Sequence, residues 1–170
     1  NDYGKFTFID TAGLRRKSKV EDGVERYSVL RSLAAVERAR VAVILIDATA
    51  GFSEQDSKVA GFAHEQGKAC IIAVNKWDAI EKDDKTMDKE KKKLEHDFSF
   101  MKYAPIIFIS AQTGQRLGKL MELIEYVDKQ NAMRITTGVL NKILADATAR
   151  VQPPTDRGKR LKIYYMTQVS

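Results

Sequence analysis

Ala73-Val74-Asn75-Lys76-Trp77-Asp78 closes a run of strand-type residues, Ala69 to Val74, and passes at once to polar and charged groups. A second tetrad, Asp10-Thr11-Ala12-Gly13, lies 65 positions upstream of Asn75 and closes a similar run, Phe6 to Ile9. Two apolar strands that each end this way predict an open α/β sheet, with both tetrads at carboxyl ends of parallel strands, the edge where such sheets bind ligands. A third segment follows the pattern: Phe108-Ile109 runs into Ser110-Ala111-Gln112-Thr113-Gly114 behind another apolar stretch.

The residue types suit one base. Guanine presents O6 and N7 as acceptors, while its N1 and exocyclic amine donate. A carboxylate at Asp78 accepts from both donors and is repelled by adenine, whose N1 is an acceptor. Asn75 can donate to the acceptor edge or brace neighbouring loops, and the Lys76 stem can lie over the purine face with its charge outward. Small residues at Ser110, Ala111 and Gln112 let backbone N–H groups approach O6. Four polar residues after a strand are alone as readily a solvated loop; the third element in the right order points to a guanine site.

The order DTAG, NKWD, SAQTG resembles the translation-factor-related GTPases of the P-loop class, and most nearly the EngA (Der) family, bacterial double GTPases that assist large-subunit ribosome assembly. The likeness covers essentially all 170 residues. Asp10 to Lys17 and Glu25-Arg26-Tyr27-Ser28 look like that family's second GTPase domain; Arg134-Ile135-Thr136-Thr137 and Arg157 to Tyr165 look like the opening of its KH-like domain. The implied fold is a P-loop GTPase-type, mostly parallel sheet with helices on both faces, followed by the start of a KH-like α/β domain. Residues 1–131 and 132–170 are the expected partial domains.

The same resemblance implies GTP/GDP and Mg2+ as cofactors, with Asp10, Thr11, Ala12, Gly13, Asn75, Lys76, Asp78, Ser110, Ala111 and Gln112 around the nucleotide. A carboxylate at Asp10 would meet magnesium directly or through water, and Gly13 would give its backbone N–H to the γ-phosphate, where glycine permits close approach. Loss of that contact on hydrolysis would release the following segment, a switch by ordering and disordering. Ras-like GTPases place a water-orienting glutamine just after DTAG, as in the well-known Ras example; here the position is Leu14, which can neither donate nor accept. Slow intrinsic turnover is expected, and the resemblance implies K+ in the role of an arginine finger.

No GxxxxGK[ST] occurs in the sequence, nor does the upstream switch threonine that would complete the magnesium shell. The nest that cradles phosphates is therefore missing, and the expectation is an incomplete chain, lacking the N-terminal strand and P-loop and inactive alone. A hairpin is expected at Asn1-Asp2-Tyr3-Gly4.

With 44% hydrophobic and 31% charged residues the composition is that of a globular protein, read as soluble, cytoplasmic and monomeric. The longest apolar runs are strand-sized, far below a membrane span, and neither a membrane helix nor a signal peptide is expected. Cys70 is the only cysteine, read as a small core residue. Residues 131–170 hold +5 of the net +6 charge, which suggests a polyanion, most plausibly ribosomal RNA, with Arg157, Lys159, Arg160 and Lys162 as contact candidates. A solvated basic loop is the plainer alternative.

Along the chain, a strand is expected over Phe6 to Asp10, a switch-like loop over Gly13 to Glu25, a helix over Tyr27 to Arg38 and a strand covered on both faces over Val41 to Asp47. Ser53 with Asp56 forms a capping box for a helix reaching Glu65 and ending near Gly67. Glu81 to Asp97 reads as a solvated loop and helix, Ile106 to Ile109 as a strand, and Leu117 to Val127 as an amphipathic helix. Thr137 is the expected cap of a helix over Val139 to Ala149, whose apolar stripe is assigned to the core. A strand is expected over Leu161 to Gln168, with Tyr164 able to stack a nucleobase or pack on a neighbour. There is no GxxG in residues 131–170, so the KH likeness supports a fold more than a binding mode. His64 and His96 are expected at surface or half-buried positions, and Trp77 to prop its loop. Two other functions stay open: a tRNA-modification-type GTPase, which shares DTAG and NKxD, and a non-catalytic RNA- or ribosome-docking module.

Overall fold

The computed structural model describes residues 5–10, 34–156 and 158–169. Two compact units divide the chain, Asn1–Asn131 and Ala132–Ser170.

The first unit is built on a parallel sheet of β1 (Val41–Asp47), β2 (Ala69–Asn75) and β3 (Ile106–Phe108) in that spatial order. The register pairs Asp47 with Asn75 and Val74 with Phe108, so the strands end level on one edge. β2 is central and buried on both faces from Ala69 to Val74, which explains its unbroken apolar run. β1 differs from expectation. Ala42, Ile44 and Ile46 are buried, but Leu45 is 54% exposed, so one face of this strand is only partly covered.

Helix α1 (Glu54–Glu65) lies against one face and α3 (Leu117–Asn131) against the other. The first face is closed by Ala60 and Ala63 of α1 with Leu94 of α2 (Thr86–Asp97), Phe98 and Met101. On the second, Ile124 and Val127 meet Ala69 and Ile71. Ser53 starts α1 with the expected capping box: the Asp56 N–H donates to Ser53 Oγ at 3.2 Å, and the Ser53 N–H to Asp56 Oδ2 at 2.9 Å. Gly67 ends it at φ +63°, and the Lys68 N–H returns to the Ala63 carbonyl at 3.1 Å. α2 contributes one fully buried side chain, Leu94, and packs Met87 partly against the same core; most of its remaining residues are charged and solvated. At the amino end of the strands, Arg40 donates to Asp128 at 2.6 Å, and Lys68 Nζ to the Glu37 carbonyl at 2.7 Å.

Residues 5–10 carry no strand ladder among the described residues, against the expected strand over Phe6 to Asp10. Phe6 packs partly on the second core, while Phe8 and Ile9 are exposed. Strand-forming residue types favour a pleated surface but make a strand only where a partner backbone supplies the ladder. Of the expected helix over Tyr27 to Arg38, residues 34–38 are described and helical; the hairpin at Asn1 and the loop over Gly13 to Glu25 lie outside the described residues.

The second unit contains α4 (Thr137–Arg150) and a short antiparallel pair, β4 (Thr155–Asp156) with β5 (Lys159–Arg160), turning at Gly158 with φ +76°. Thr136, not Thr137, stands at the cap, and its side chain makes no cap hydrogen bond. None of the helix's residues is buried, so the stripe assigned to the core is half open, with Val139 and Ile143 exposed. The expected strand from Leu161 has no ladder beyond β5. Side-chain amides do part of that work: Asn141 donates to the Met166 carbonyl and accepts from the Met166 N–H, and Gln168 accepts from the Ile135 N–H and donates to the Met133 carbonyl. No helix among the described residues is long and apolar enough to cross a membrane.

Candidate guanine-nucleotide site

The level strand ends bring three loops side by side, and backbone hydrogen bonds stitch them. The Ile109 N–H donates to the Val74 carbonyl at 2.8 Å, and the Trp77 N–H to the Ile109 carbonyl at 3.1 Å, so pairing continues past the end of β3 into the 75–78 loop. The Ala111 N–H donates to Asn75 Oδ1 at 2.9 Å. Of the two roles open to Asn75, bracing is the one realised; with its oxygen so fixed, its amide nitrogen is the group that faces acceptors.

Ser110 is fully buried, the sole polar residue in that class among the described residues. Its Oγ accepts from the Thr113 N–H at 3.1 Å, and its hydroxyl lies beside the Asp78 carboxylate, holding that group below the usual carboxylate range. Lys82 adds a smaller attraction in the same direction. Asp78 is exposed and ionised, its oxygens accessible to a pair of donors. Ala111 and Gln112 are exposed on the turn that follows, which Gly114 shapes at φ +78°.

Trp77 is 2% exposed and packs on Phe108 with ring centroids 4.3 Å apart. It props the loop from beneath, with Lys82 over its ring at 5.7 Å. A hollow of about 250 Å³ lies on that side, against Ile46, Phe52, Val74, Trp77 and Leu94. Neither Asn75 nor Asp78 lines it, so it is not the place for the base.

Two functional-looking residues escaped sequence reading. Asp47 ends β1 and pairs with Lys76, Nζ to Oδ2 at 2.8 Å; Lys76 and Thr49 hold its carboxyl well below the usual range. An acid closing an apolar strand on the same edge as NKWD was the available signal. Arg116, at φ +59°, donates to the Phe108 carbonyl at 3.1 Å and secures the turn; nothing in its sequence setting marks it.

Asn75, Lys76, Asp78, Ser110 and Ala111 are thus gathered on one edge, with Gln112 beside them. Asp10 is described and exposed. Thr11, Ala12, Gly13, Leu14 and the basic Arg15-Arg16-Lys17 lie outside the described residues, as does Arg157. Lys159, Arg160 and Lys162 are exposed on and after the β4–β5 hairpin. His64 and His96 are exposed; the His64 ring meets Tyr103, Nδ1 to Oη at 3.0 Å. Cys70 is buried, with its thiol pushed up by that burial.

A parallel sheet with helices on both faces and strand-end loops of this kind defines an α/β domain of the P-loop GTPase type. Solved structures share the fold. A probable GTP-binding protein engB aligns with TM-score 0.58 at 23% identity over 72% of this chain and 77% of its own. Aquifex aeolicus Era bound to GDP.AlF4- aligns with TM-score 0.54 at 25% identity over 68% and 37%. Residues 3–130 match the family described as the elongation factor Tu GTP binding domain, and residues 134–170 the KH-domain-like of EngA bacterial GTPase enzymes, C-terminal. GTPase Der of Acetivibrio thermocellus is 60% identical over 170 residues, all of this chain and 39% of that protein; GTPase Der of Caldicellulosiruptor saccharolyticus is 61% identical over 163 residues, 96% of this chain and 37% of that protein. The chain belongs to the EngA (Der) family of GTPases and spans under two fifths of the length of these relatives.

Proposed function

We propose that this chain carries the base-recognition part of a GTP-binding, GTP-hydrolysing switch that acts in assembly of the large ribosomal subunit. The observation that carries the reading is Asp78, ionised and exposed, on a loop tied to the 110–111 turn through Asn75. A purine seated there would meet a carboxylate for its N1 and amine donors, with the Lys76 stem over its face. Specificity then comes from the unpaired, repelled charge that adenine would leave at Asp78.

For magnesium, Asp10 is the candidate. Such an ion takes one or two carboxylates and completes its shell with water and phosphate oxygens. It would neutralise charge on the phosphates. Leu14 predicts slow turnover without an activator, and K+ is the proposed substitute for an arginine finger. The basic second unit supports an RNA contact through Lys159, Arg160, Lys162 and Arg157, and the match of residues 134–170 to the EngA C-terminal module favours this over a tRNA-modification enzyme.

Asp78→Asn in the full-length protein tests the reading. An amide donates where the carboxylate accepted, so preference should shift from guanine toward xanthine nucleotides in competition binding. Unaltered guanine preference removes the assignment.

A further inference from the structure

We infer that Asp47 is a positioning residue of the guanine site, anchoring the Lys76 ammonium so that the lysine stem stands as a fixed platform for the purine face. The inference rests on the guanine reading of the 75–78 loop. Asp47 and Asn75 are direct partners in the β1–β2 register, so the acid and the loop leave the sheet side by side. The Asp47 side chain is only 16% exposed, whereas that of Lys76 is 57% exposed. Its two oxygens divide the work. Oδ1 accepts from the Thr49 N–H at 2.9 Å and the Thr49 hydroxyl at 2.6 Å, and Oδ2 meets Lys76 Nζ at 2.8 Å. The turn beyond β1 closes over the Asp47 carbonyl, which accepts from the Ala50 and Gly51 N–H groups at 3.1 and 2.9 Å. The carboxylate is thus aimed by its own turn, independently of the lysine.

Lys76 is held just as firmly at its other end. Its backbone is left-handed at φ +60°, a conformation that an unbranched side chain adopts only under constraint. The constraint comes from both neighbours: the Ala48 N–H donates to the Asn75 carbonyl at 2.9 Å, and the Trp77 N–H to the Ile109 carbonyl at 3.1 Å. A free lysine stem has several rotatable bonds and a strongly hydrated tip. Tying that tip to a half-buried acid fixed by its own turn removes most of those rotamers before a nucleotide arrives, and binding then costs less ordering.

The test is a double-substitution cycle in the full-length protein, read as GDP affinity with a fluorescent analogue. Asp47→Asn should weaken GDP about five-fold, the equivalent of one partly exposed ion pair. Lys76→Met keeps the stem without the charge and should weaken it by about as much. The double variant should be no weaker than Lys76→Met alone. An Asp47→Asn loss of equal size in the Lys76→Met background overturns the inference, because Asp47 would then act through its turn. Unchanged GDP affinity in Asp47→Asn overturns it as well. Asp78→Asn measured in parallel separates the two readings: a xanthine shift there with no effect of Asp47→Asn refutes the positioning role alone, whereas no xanthine shift refutes the guanine site. If Asp47→Asn does not fold, Asp47→Ser keeps an acceptor for Thr49 and carries the same expectations.

Discussion

Replacing Ser110 by alanine removes one oxygen from a fully buried position and disturbs two partners at once. The first is the Thr113 N–H, which donates to Ser110 Oγ at 3.1 Å. Thr113 is exposed, so water can take over part of that bond. The loss should stay near the net worth of one hydrogen bond, about 1 kcal/mol, rather than the ~3 kcal/mol of a stranded buried donor. Cavity formation adds little, because alanine retains all but the hydroxyl. The second partner is Asp78, whose carboxyl the Ser110 hydroxyl holds below its usual range. A carboxyl depressed in this way keeps its charge until pH falls through the lowered value; without Ser110 it takes up its proton at higher pH. If Asp78 receives the base as proposed, guanine-nucleotide affinity should therefore begin to fail at higher pH in Ser110→Ala than in the parent and agree with it better near neutrality. The measurements are a denaturant titration for stability and GDP affinity from pH 7 downward, in the full-length protein. An acid limb of binding that does not move would refute the coupling of Ser110 to Asp78, and a stability loss well above ~3 kcal/mol would refute the solvated view of Thr113.

Gly67→Ala should destabilise by about 1 kcal/mol, although no atom lies within 4 Å of the added Cβ; the cost is the positive φ alone, so Gly67→Asn should cost less in the same thermal melt. Leu94→Ala should cost about 2–5 kcal/mol, and because Leu94 is the one buried side chain of α2, hydrogen exchange should quicken over residues 86–97 first. Charge reversal at Lys159 and Arg160 should weaken binding to ribosomal particles and flatten its dependence on salt, seen in pelleting assays across ionic strength; an unchanged slope would remove the RNA contact.

Where local chemistry settles an element, the sequence was legible. Val41–Asp47 is bounded as read, Ser53 with Asp56 closes its capping box, and Ile106–Phe108 follows Pro105. The gathering of Asn75, Lys76, Asp78 and Ser110 on one edge was legible for the same reason: strand ends fix where loops begin. Distant partners were not. Phe6 to Asp10 and Leu161 to Gln168 have strand-type residues, but a ladder depends on a second backbone that no local pattern reveals. The stripe on α4 has helical spacing, but periodicity marks which side chains share a face and is silent on what covers it. Arg116 belongs to the same category, since its contact is with the Phe108 carbonyl, whereas Asp47 was marked by its place at the end of an apolar strand and only its pairing with Lys76 was hidden.

Trp77 is the only tryptophan in these 170 residues, and it sits beneath the 75–78 loop, between Lys76 and Asp78 in the chain. Its indole is sealed against Phe108 and bears a lysine over one face. The loop therefore contains its own optical reporter. Any event that lifts residues 75–78 from the sheet must expose that ring to water, and should redden its emission without any label having been attached.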